Sequence, residues 1–173
     1  MKVYLGNLAG VSSNTMASVI AILNGYYNRV VSGTGVSFGG VVEVTKAPSI
    51  STSDILCYIV SDFSNSVLIN WNSALQHNDG DAGETCFTND KKQAASEVYM
   101  DIINGNSDVT DFLANIIFHE SMHNRTTTGD ELHKSADGLA KETVTESDTL
   151  TAANIKTMQG SLSKAVTQWV GGF

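Results

Sequence analysis

Charged residues are scarce in this sequence, and the few basic ones are scattered along it. Charged side chains make up 16% of the 173 residues, whereas roughly a quarter is usual in globular domains. Ten residues are Lys or Arg and 18 are Asp or Glu, which gives a net charge of −8. A surface that binds nucleic acid needs clustered Lys and Arg to meet the phosphates. The composition therefore excludes a nucleic-acid-binding function.

Proline, cysteine and long apolar runs are also rare. A single proline, Pro48, and the lack of repeats give no sign of a linker, so we expect one domain. Cys57 and Cys86 are too few for a disulfide framework, and we expect two free thiols. No apolar run approaches the ~18 residues that cross a bilayer, and the N-terminus does not resemble a secretory signal. We expect a chain without a membrane span that is cytoplasmic or exported by a leaderless route, and its oligomeric state stays open.

Hydrophobic periodicity predicts strands and one long helix in the first part of the chain. Apolar residues at spacings of three and four predict an amphipathic helix over 14–31. The run at 55–60 barely alternates, which is typical of a strand that is buried on both faces. The predicted strands are 3–5, 36–44, 55–60 and 96–103, with a further short strand over 67–71.

The remaining segments are predicted as loops and two more helices. Polar sequence with turn-forming glycines predicts a long surface loop over 77–92. Asp108 is a good N-cap, so a helix should run from 109 to about 124. Residues 126–137 are predicted as loop, and 151–170 contains a helix with an apolar face.

These elements indicate an α+β fold. We expect a small mixed twisted sheet packed on helices within one domain spanning 1–173. Residues 1–124 would hold the sheet and the helix described next, and 125–173 would form a smaller C-terminal helical part.

The predicted helix over 109–124 carries an H-E-x-x-H motif, His119-Glu120-Ser121-Met122-His123. Residues four apart lie on nearly the same face of a helix, so His119 and His123 can converge on one metal ion. Glu120, one step around the helix, is placed to contact a metal-bound water rather than the metal. Zinc lowers the pKa of that water from about 16 to about 7, and the carboxylate takes its proton as the water attacks a carbonyl. The motif therefore predicts one catalytic Zn²⁺ ion with Glu120 as the base.

The segment 116–124, Ile-Ile-Phe-His-Glu-Ser-Met-His-Asn, resembles the active-site helix of the zincin metallopeptidases. The resemblance implies a mixed sheet whose edge strand holds an extended peptide, and it assigns that edge to the strand over 96–103. The metzincin branch is the most similar, because Gly129 and His133 follow the motif. They come six and ten residues after His123, whereas metzincins have them three and six residues after, so the turn here is longer by four residues.

A catalytic zinc takes three protein ligands and leaves one position to water. We expect His133 to be the third ligand, because Gly129 can reverse the chain after the helix. A carboxylate is the alternative, as in the gluzincin branch of the superfamily. The candidates are Glu142, Glu146 and Asp130, while Asp137 could orient an imidazole from outside the ligand set.

Three further residues are candidates for lesser roles. Metzincins have a methionine turn beneath the metal, but Met158 lies on the apolar face of the last predicted helix, so we expect it in the core. A tyrosine such as Tyr99 could stabilise an oxyanion. His77 lies in the polar loop, and we expect it at the surface.

The residues and the resemblance together predict a zinc-dependent endopeptidase that hydrolyses a peptide or protein substrate. Two alternatives stay open. The chain could be a catalytically silent zinc-binding domain that recognises a partner, although Glu120 argues against this because a structural site needs no base. It could also be a metal-dependent hydrolase of a small non-peptide amide.

Overall fold

A computed structural model describes residues 1–51, 53–72, 80–90, 93–135, 137–162 and 166–167. Within these residues six strands form one mixed sheet, and four α-helices accompany it. The fold is therefore of the predicted α+β class. The strands are β1 (Val3–Asn7), β2 (Val41–Val44), β3 (Ile55–Val60), β4 (Gly83–Phe87), β5 (Gln93–Tyr99) and β6 (Val166–Thr167). The helices are α1 (Ser13–Val31), α2 (Met100–Ile103), α3 (Val109–Thr126) and α4 (Ala152–Gln159).

The sheet has the strand order β2-β1-β3-β5-β4, and the short β6 pairs with the start of β5. The strands β2, β1, β3 and β5 are parallel to their neighbours. Strand β4 is antiparallel to β5, with Thr85 opposite Ser96 and Glu84 opposite Glu97. In the described part of the chain, β4 is thus the strand at one edge of the sheet and β2 the strand at the other.

Buried side chains cover both faces of the sheet. One face packs against α1, α3 and α4 and forms the larger core. The opposite face packs against a smaller cluster around Tyr58, Val67 and Tyr99. Strand β3 lies between the two cores, and all six of its residues are buried, as its continuous apolar sequence predicted.

Helix α3 begins and ends through identifiable backbone devices. The Asp108 side chain accepts hydrogen bonds from the amides of Thr110 and Asp111, both at 3.1 Å, which confirms the predicted N-cap. At the other end Thr127 adopts the left-handed conformation, with φ of 51°, and its amide donates to the His123 carbonyl. Every residue from 112 to 125 is buried, because the helix lies between the sheet and the C-terminal segment.

The predicted loop over 77–92 is wrong in its middle, where Gly83–Phe87 forms β4. The glycines at 80 and 83 suggested turns, but the Thr-Cys-Phe run finds hydrogen-bonding partners in β5. Residues 73–79, which include His77, and residues 91–92 lie outside the described part of the chain.

The predicted strand over 96–103 is displaced and is not at the edge of the sheet. Strand β5 spans Gln93–Tyr99, and the chain then turns into α2. The last strand hydrogen bond joins the Tyr99 amide to the Ala82 carbonyl, after which the Asp101 amide donates to Ser61 instead. Because β3 and β4 flank β5, the edge position belongs to β4.

Two shorter predictions also need correction. The strand predicted over 36–44 is confined to Val41–Val44, because Gly40 has a φ of +91° and breaks the extended run. The segment predicted as a strand over 67–71 is a 3-10 turn at Leu68–Asn70. The Glu97 carboxylate accepts from the Val67 and Leu68 amides and so holds this turn.

The C-terminal third differs from its prediction in two places. The predicted loop over 126–137 contains a 3-10 helix at Asp130–Ser135. Helix α4 ends at Gln159, and Val166, within the range 151–170 that was predicted to contain the helix, lies in β6 beside β5. Met158 lies in the core, as predicted. No helix in the described ranges has the length and hydrophobicity that a membrane crossing requires.

Candidate metal centre

Three histidine side chains meet at one point beside the middle of α3. The Nε2 atom of His123 lies 3.0 Å from Nε2 of His119 and 3.1 Å from Nε2 of His133. All three ligand atoms lie within 4.8 Å of one another. His119 and His123 are buried, and His133 is half-buried. The structure thus brings together the three residues that the sequence proposed as ligands.

The protons of two of these rings are fixed by the backbone. His119 Nδ1 lies 2.9 Å from the Leu139 carbonyl oxygen, and His123 Nδ1 lies 2.6 Å from that of Thr128. A carbonyl oxygen can only accept, so each Nδ1 carries the hydrogen and donates it. Burial, with a further contribution from His123, lowers the pKa of His119 to about 3, and burial also lowers the pKa of His123. Both rings are therefore neutral near pH 7, and each Nε2 presents a lone pair.

This tautomer makes the cluster fit a metal ion. The short Nε2 contact between His119 and His123 is not a hydrogen bond, because neither nitrogen has a hydrogen to give. Two lone pairs at this distance repel unless a cation lies between them. Nitrogens at about 2.0–2.1 Å from one tetrahedral ion stand about 3.3–3.4 Å apart, close to the observed separations. The cluster could hold a metal ion through three imidazoles.

The Thr128 carbonyl reaches His123 because α3 ends in a left-handed residue. Thr127 is the only residue other than glycine with positive φ in the described ranges, and a β-branched residue adopts this conformation at a cost of about 1–3 kcal/mol. The reversal directs Thr128 back along the helix and leads the chain into the 3-10 helix that carries His133. Gly129 was expected to reverse the chain, but its φ is not positive. Thr127 does this instead.

The Leu139 carbonyl is held in place by a tight turn against α4. Gly138 has a φ of +50°, and a Cβ there would lie 2.7 Å from the Asn154 side chain and would also collide with the Thr149 carbonyl. The buried Asn154 accepts from the Leu139 amide at 2.9 Å and donates to the Asp137 carbonyl at 2.9 Å. This residue therefore fixes the peptide unit that orients His119.

Glu120 lies beside the cluster, and its carboxyl group is buried. Thr85 of β4 donates to Glu120 Oε2 at 2.6 Å. Burial is the largest effect on the Glu120 carboxyl group and raises its pKa to about 8. The Thr85 hydrogen bond acts in the opposite direction and lowers the pKa, while the negative charge of Glu84 raises it. A carboxyl group with a pKa in this range can exchange protons near neutral pH.

A series of hydrogen bonds supports the Glu120 side chain from the side of the sheet. The Asn124 side chain donates to Ser96 Oγ at 3.0 Å, and Ser96 Oγ lies 2.8 Å from Thr85 Oγ1. Because Thr85 gives its hydrogen to Glu120, Ser96 is the donor in that pair. The series links α3 to β5, β4 and back to the carboxyl group of α3, and it fixes the side chain from the sheet side.

Gly83 of β4 leaves the room that Glu120 occupies. A Cβ at this position would stand 2.9 Å from Glu120 Cγ and 3.0 Å from the Glu97 carbonyl oxygen. Real Cβ atoms do not approach so closely. The backbone of β4 therefore packs directly on the Glu120 side chain.

The cluster and Glu120 open into a cleft of about 590 Å³, a volume in the range of small-ligand and peptide sites. Residues 80–85 form one wall, and residues 142–145 form another. Ile116 and Phe112, one and two turns before His119 on α3, extend the floor with apolar surface.

The other proposed ligands do not join the histidine cluster. Glu142 and Asp130 line the cleft, but their oxygens are not part of the group of converging ligand atoms in the described residues. Glu146 accepts a hydrogen bond from Ser107 at 2.7 Å. Asp137 accepts from Thr151 at 2.7 Å, and its proposed role in orienting an imidazole belongs to the Leu139 carbonyl.

Tyr99 does not line the cleft, so the structure gives no support for a role in oxyanion stabilisation. Its hydroxyl lies on the opposite face of the sheet, 2.6 Å from a Glu84 oxygen and 2.7 Å from a Glu97 oxygen. Cys57 and Cys86 are free thiols, as expected. His77 lies outside the described residues, so its expected surface position is untested.

Sequence reasoning missed several parts of the site. Gly83 and Thr85 lie in the segment that was predicted as loop, and the Thr128 and Leu139 carbonyls carry no side-chain signal at all. The β-branched and aromatic residues at 85 and 87 were the one available signal for a strand there.

No protein-family model, curated protein or solved structure matches the chain in the comparisons made. What the site does must therefore be inferred from its own geometry and chemistry.

Proposed function

We propose that this chain is a zinc-dependent metallopeptidase in which His119, His123 and His133 hold the ion and Glu120 is the general base. One observation carries the proposal: three imidazole nitrogens converge, two of them without a proton, beside a buried carboxyl group in an open cleft. When bound, the ion would supply Lewis-acid polarisation of a carbonyl group and of an attacking water. The likeness of 116–124 to the zincin active-site helix supports the same function.

The chemistry of the donors favours zinc. The cluster offers imidazoles alone, without thiolate or carboxylate, and such a set suits Zn²⁺, which is tetrahedral and redox-inert. Three protein ligands leave the fourth position for water or substrate, as a catalytic site requires. The backbone acceptors behind His119 and His123 set the tautomer that a metal needs.

Glu120 has the properties of a general base. Thr85 holds Oε2, which leaves Oε1 to accept a proton from an attacking water. In the metal-free chain burial raises the pKa of Glu120 to about 8, and a buried carboxyl group of this kind can hold a proton and return it to a leaving amine. A metal-binding domain without catalysis would gain nothing from this buried ionisable group, which costs free energy to bury.

The position of β4 supports an extended peptide as the substrate. Within the described residues β4 pairs with β5 alone, and its residues 83–85 line the cleft. A peptide can add to such an edge as a further strand through backbone hydrogen bonds. This favours a peptide over a small non-peptide amide, which would not use the edge strand.

One experiment tests the roles of the metal and of Glu120 together. The chain is stripped with a chelator, reloaded with zinc and incubated with a mixed peptide library, and new termini are identified by mass spectrometry. We expect cleavage by the reloaded wild-type chain and nearly none by Glu120→Gln at equal zinc content. Zinc uptake without cleavage by the wild-type chain would instead support the silent metal-binding alternative.

A further inference from the structure

We infer that the cleft selects peptide segments that carry Lys or Arg side chains, an inference that rests on the proposed peptidase function. The evidence is the charge and shape of the cleft lining. Besides Glu120 and Glu84, three carboxylate side chains line it, those of Asp81, Asp130 and Glu142. No described residue of the lining is Lys or Arg.

The negative charge comes from three separate parts of the chain. Asp81 precedes β4, Asp130 begins the 3-10 helix after α3, and Glu142 lies on the wall formed by residues 142–145. The charge is therefore a property of the cleft and not of one acidic run. Fields from carboxylates on several walls add up inside a concave site, where solvent screens them less than on an open surface.

Lys141 does not cancel this charge. Lys141, next to Glu142 in sequence, forms an ion pair with Asp148 and does not line the cleft. Glu84 also lines the cleft, but one of its carboxylate oxygens lies 2.6 Å from the Tyr99 hydroxyl on the other face of the sheet, so its charge is engaged there. Asp130 and Glu142 are exposed and can meet a ligand directly.

A second observation shows that this acidic lining borders a ligand site. The Nε2 atom of the buried His119 opens into the same cleft, and its one neighbour at hydrogen-bond distance among the described residues is His123 Nε2, which has no hydrogen to donate. Acidic groups therefore line the cleft in which a peptide bond would be held, and their three negative charges exceed the two positive charges that a bound zinc ion would bring.

The apolar part of the lining further limits the kind of side chain that the cleft would bind. Phe112, Ile116 and Val144 line the cleft and are largely buried, and Glu142 lies two residues before Val144 on the same wall. Lys and Arg have aliphatic stems that pack on apolar surface while the charged end meets carboxylates. Asp and Glu side chains would be repelled by the carboxylates of the cleft, and apolar side chains would gain nothing from these carboxylates.

Binding, measured apart from cleavage, tests the inference. Zinc-saturated Glu120→Gln protein is titrated into labelled short peptides of one Ala/Ser/Thr background that differ only in carrying Arg, Gln or Glu at two positions, and anisotropy is followed. We expect the Arg peptide to bind about tenfold or more tightly than the Glu peptide at about 50 mM salt, with the preference shrinking at about 500 mM. Equal binding, or tighter binding of the Glu peptide, would overturn the inference.

Single neutralisations locate the effect. Glu142→Gln and Asp130→Asn should each weaken binding of the Arg peptide by about two- to fivefold and leave the Gln peptide unchanged. Glu43→Gln, on β2 at the far edge of the sheet, removes the same charge and is the matched control. An equal loss in Glu43→Gln would assign the preference to net charge and contradict a selective cleft.

The two proposals can fail separately. If the Arg peptide binds selectively but the wild-type chain cleaves no peptide, the charge preference holds and the peptidase function falls. If the wild-type chain cleaves the library without preference for sites near Lys or Arg, the peptidase function holds and the charge preference falls.

Discussion

Replacing Gly83 with alanine tests whether the edge strand positions Glu120, the proposed general base. The added Cβ would stand 2.9 Å from Glu120 Cγ, 3.0 Å from its Oε1 and 3.0 Å from the Glu97 carbonyl oxygen. The carbonyl belongs to the β4–β5 ladder and cannot move without breaking strand pairing. The side chain of Glu120 must therefore give way.

The size of the effect follows from this geometry. A methyl group forced into a packed site typically costs about 1–3 kcal/mol. Because alanine also restricts the unfolded chain by about 0.4–1 kcal/mol, we expect a net loss of about 1–2 kcal/mol in the free energy of unfolding. A displacement of a reacting group by about 1 Å costs up to about 100-fold in rate, so the kcat of Gly83→Ala should fall about 10- to 100-fold.

Urea unfolding, zinc content and kcat on a cleaved peptide are measured for Gly83→Ala and for Gly25→Ala. The control adds the same methyl group on an exposed face of α1, where nothing lies within 4 Å. It should raise stability by about 0.5–1 kcal/mol and leave kcat unchanged. Because the new methyl group at position 83 does not touch the histidines, zinc content should stay the same. Wild-type kcat in Gly83→Ala would refute the reasoning that β4 sets the position of Glu120.

Three further predictions concern the base, the third ligand and the support of the metal site. Because the pKa of Glu120 is about 8 in the folded chain and has its ordinary value of 4.5 in the unfolded chain, the folded metal-free chain holds a proton between these pH values that the unfolded chain has lost. Its stability relative to Glu120→Gln should fall by up to about 5 kcal/mol as pH rises through that window, as measured by urea unfolding; a difference constant with pH would contradict the shift. His133→Ala should lose zinc to a chelator as readily as His119→Ala, whereas Glu142→Ala should retain it, and the reverse pattern would make the glutamate the ligand. Asn154→Ala should weaken zinc binding by about 10- to 100-fold, because Asn154 holds the peptide unit whose carbonyl orients His119. Competition with a chelator dye, at a temperature where the variant is folded, measures this affinity. An unchanged affinity would show that the Leu139 carbonyl does not support His119.

The helix and its motif could be predicted because their signals are local. Asp108 marks the start of α3 through its own side chain, and the spacing of His119 and His123 follows from helix geometry alone. The burial of β3 on both faces was equally visible, because its apolar run does not alternate.

The parts that failed depend on contacts between distant residues. Strand β4 exists because β5 pairs with it, and its polar, glycine-flanked sequence reads as a loop when taken alone. The approach of His133 depends on a left-handed Thr127, which sequence statistics disfavour. The acceptor for His119 is a backbone carbonyl fixed by Gly138 and Asn154, and neither residue points to a metal site in the sequence.

Titrating zinc back into the chelated chain while following hydrolysis of one cleaved peptide tests the central claim most directly. We predict that the rate rises in proportion to added zinc and levels off at one equivalent, since the described residues form one cluster of ligand atoms. Glu120→Gln should take up the same single equivalent while its rate stays about 100- to 10,000-fold lower. Hydrolysis that is independent of zinc, or a Gln variant as fast as the wild-type chain, would contradict a metallopeptidase that works through the histidine cluster and Glu120.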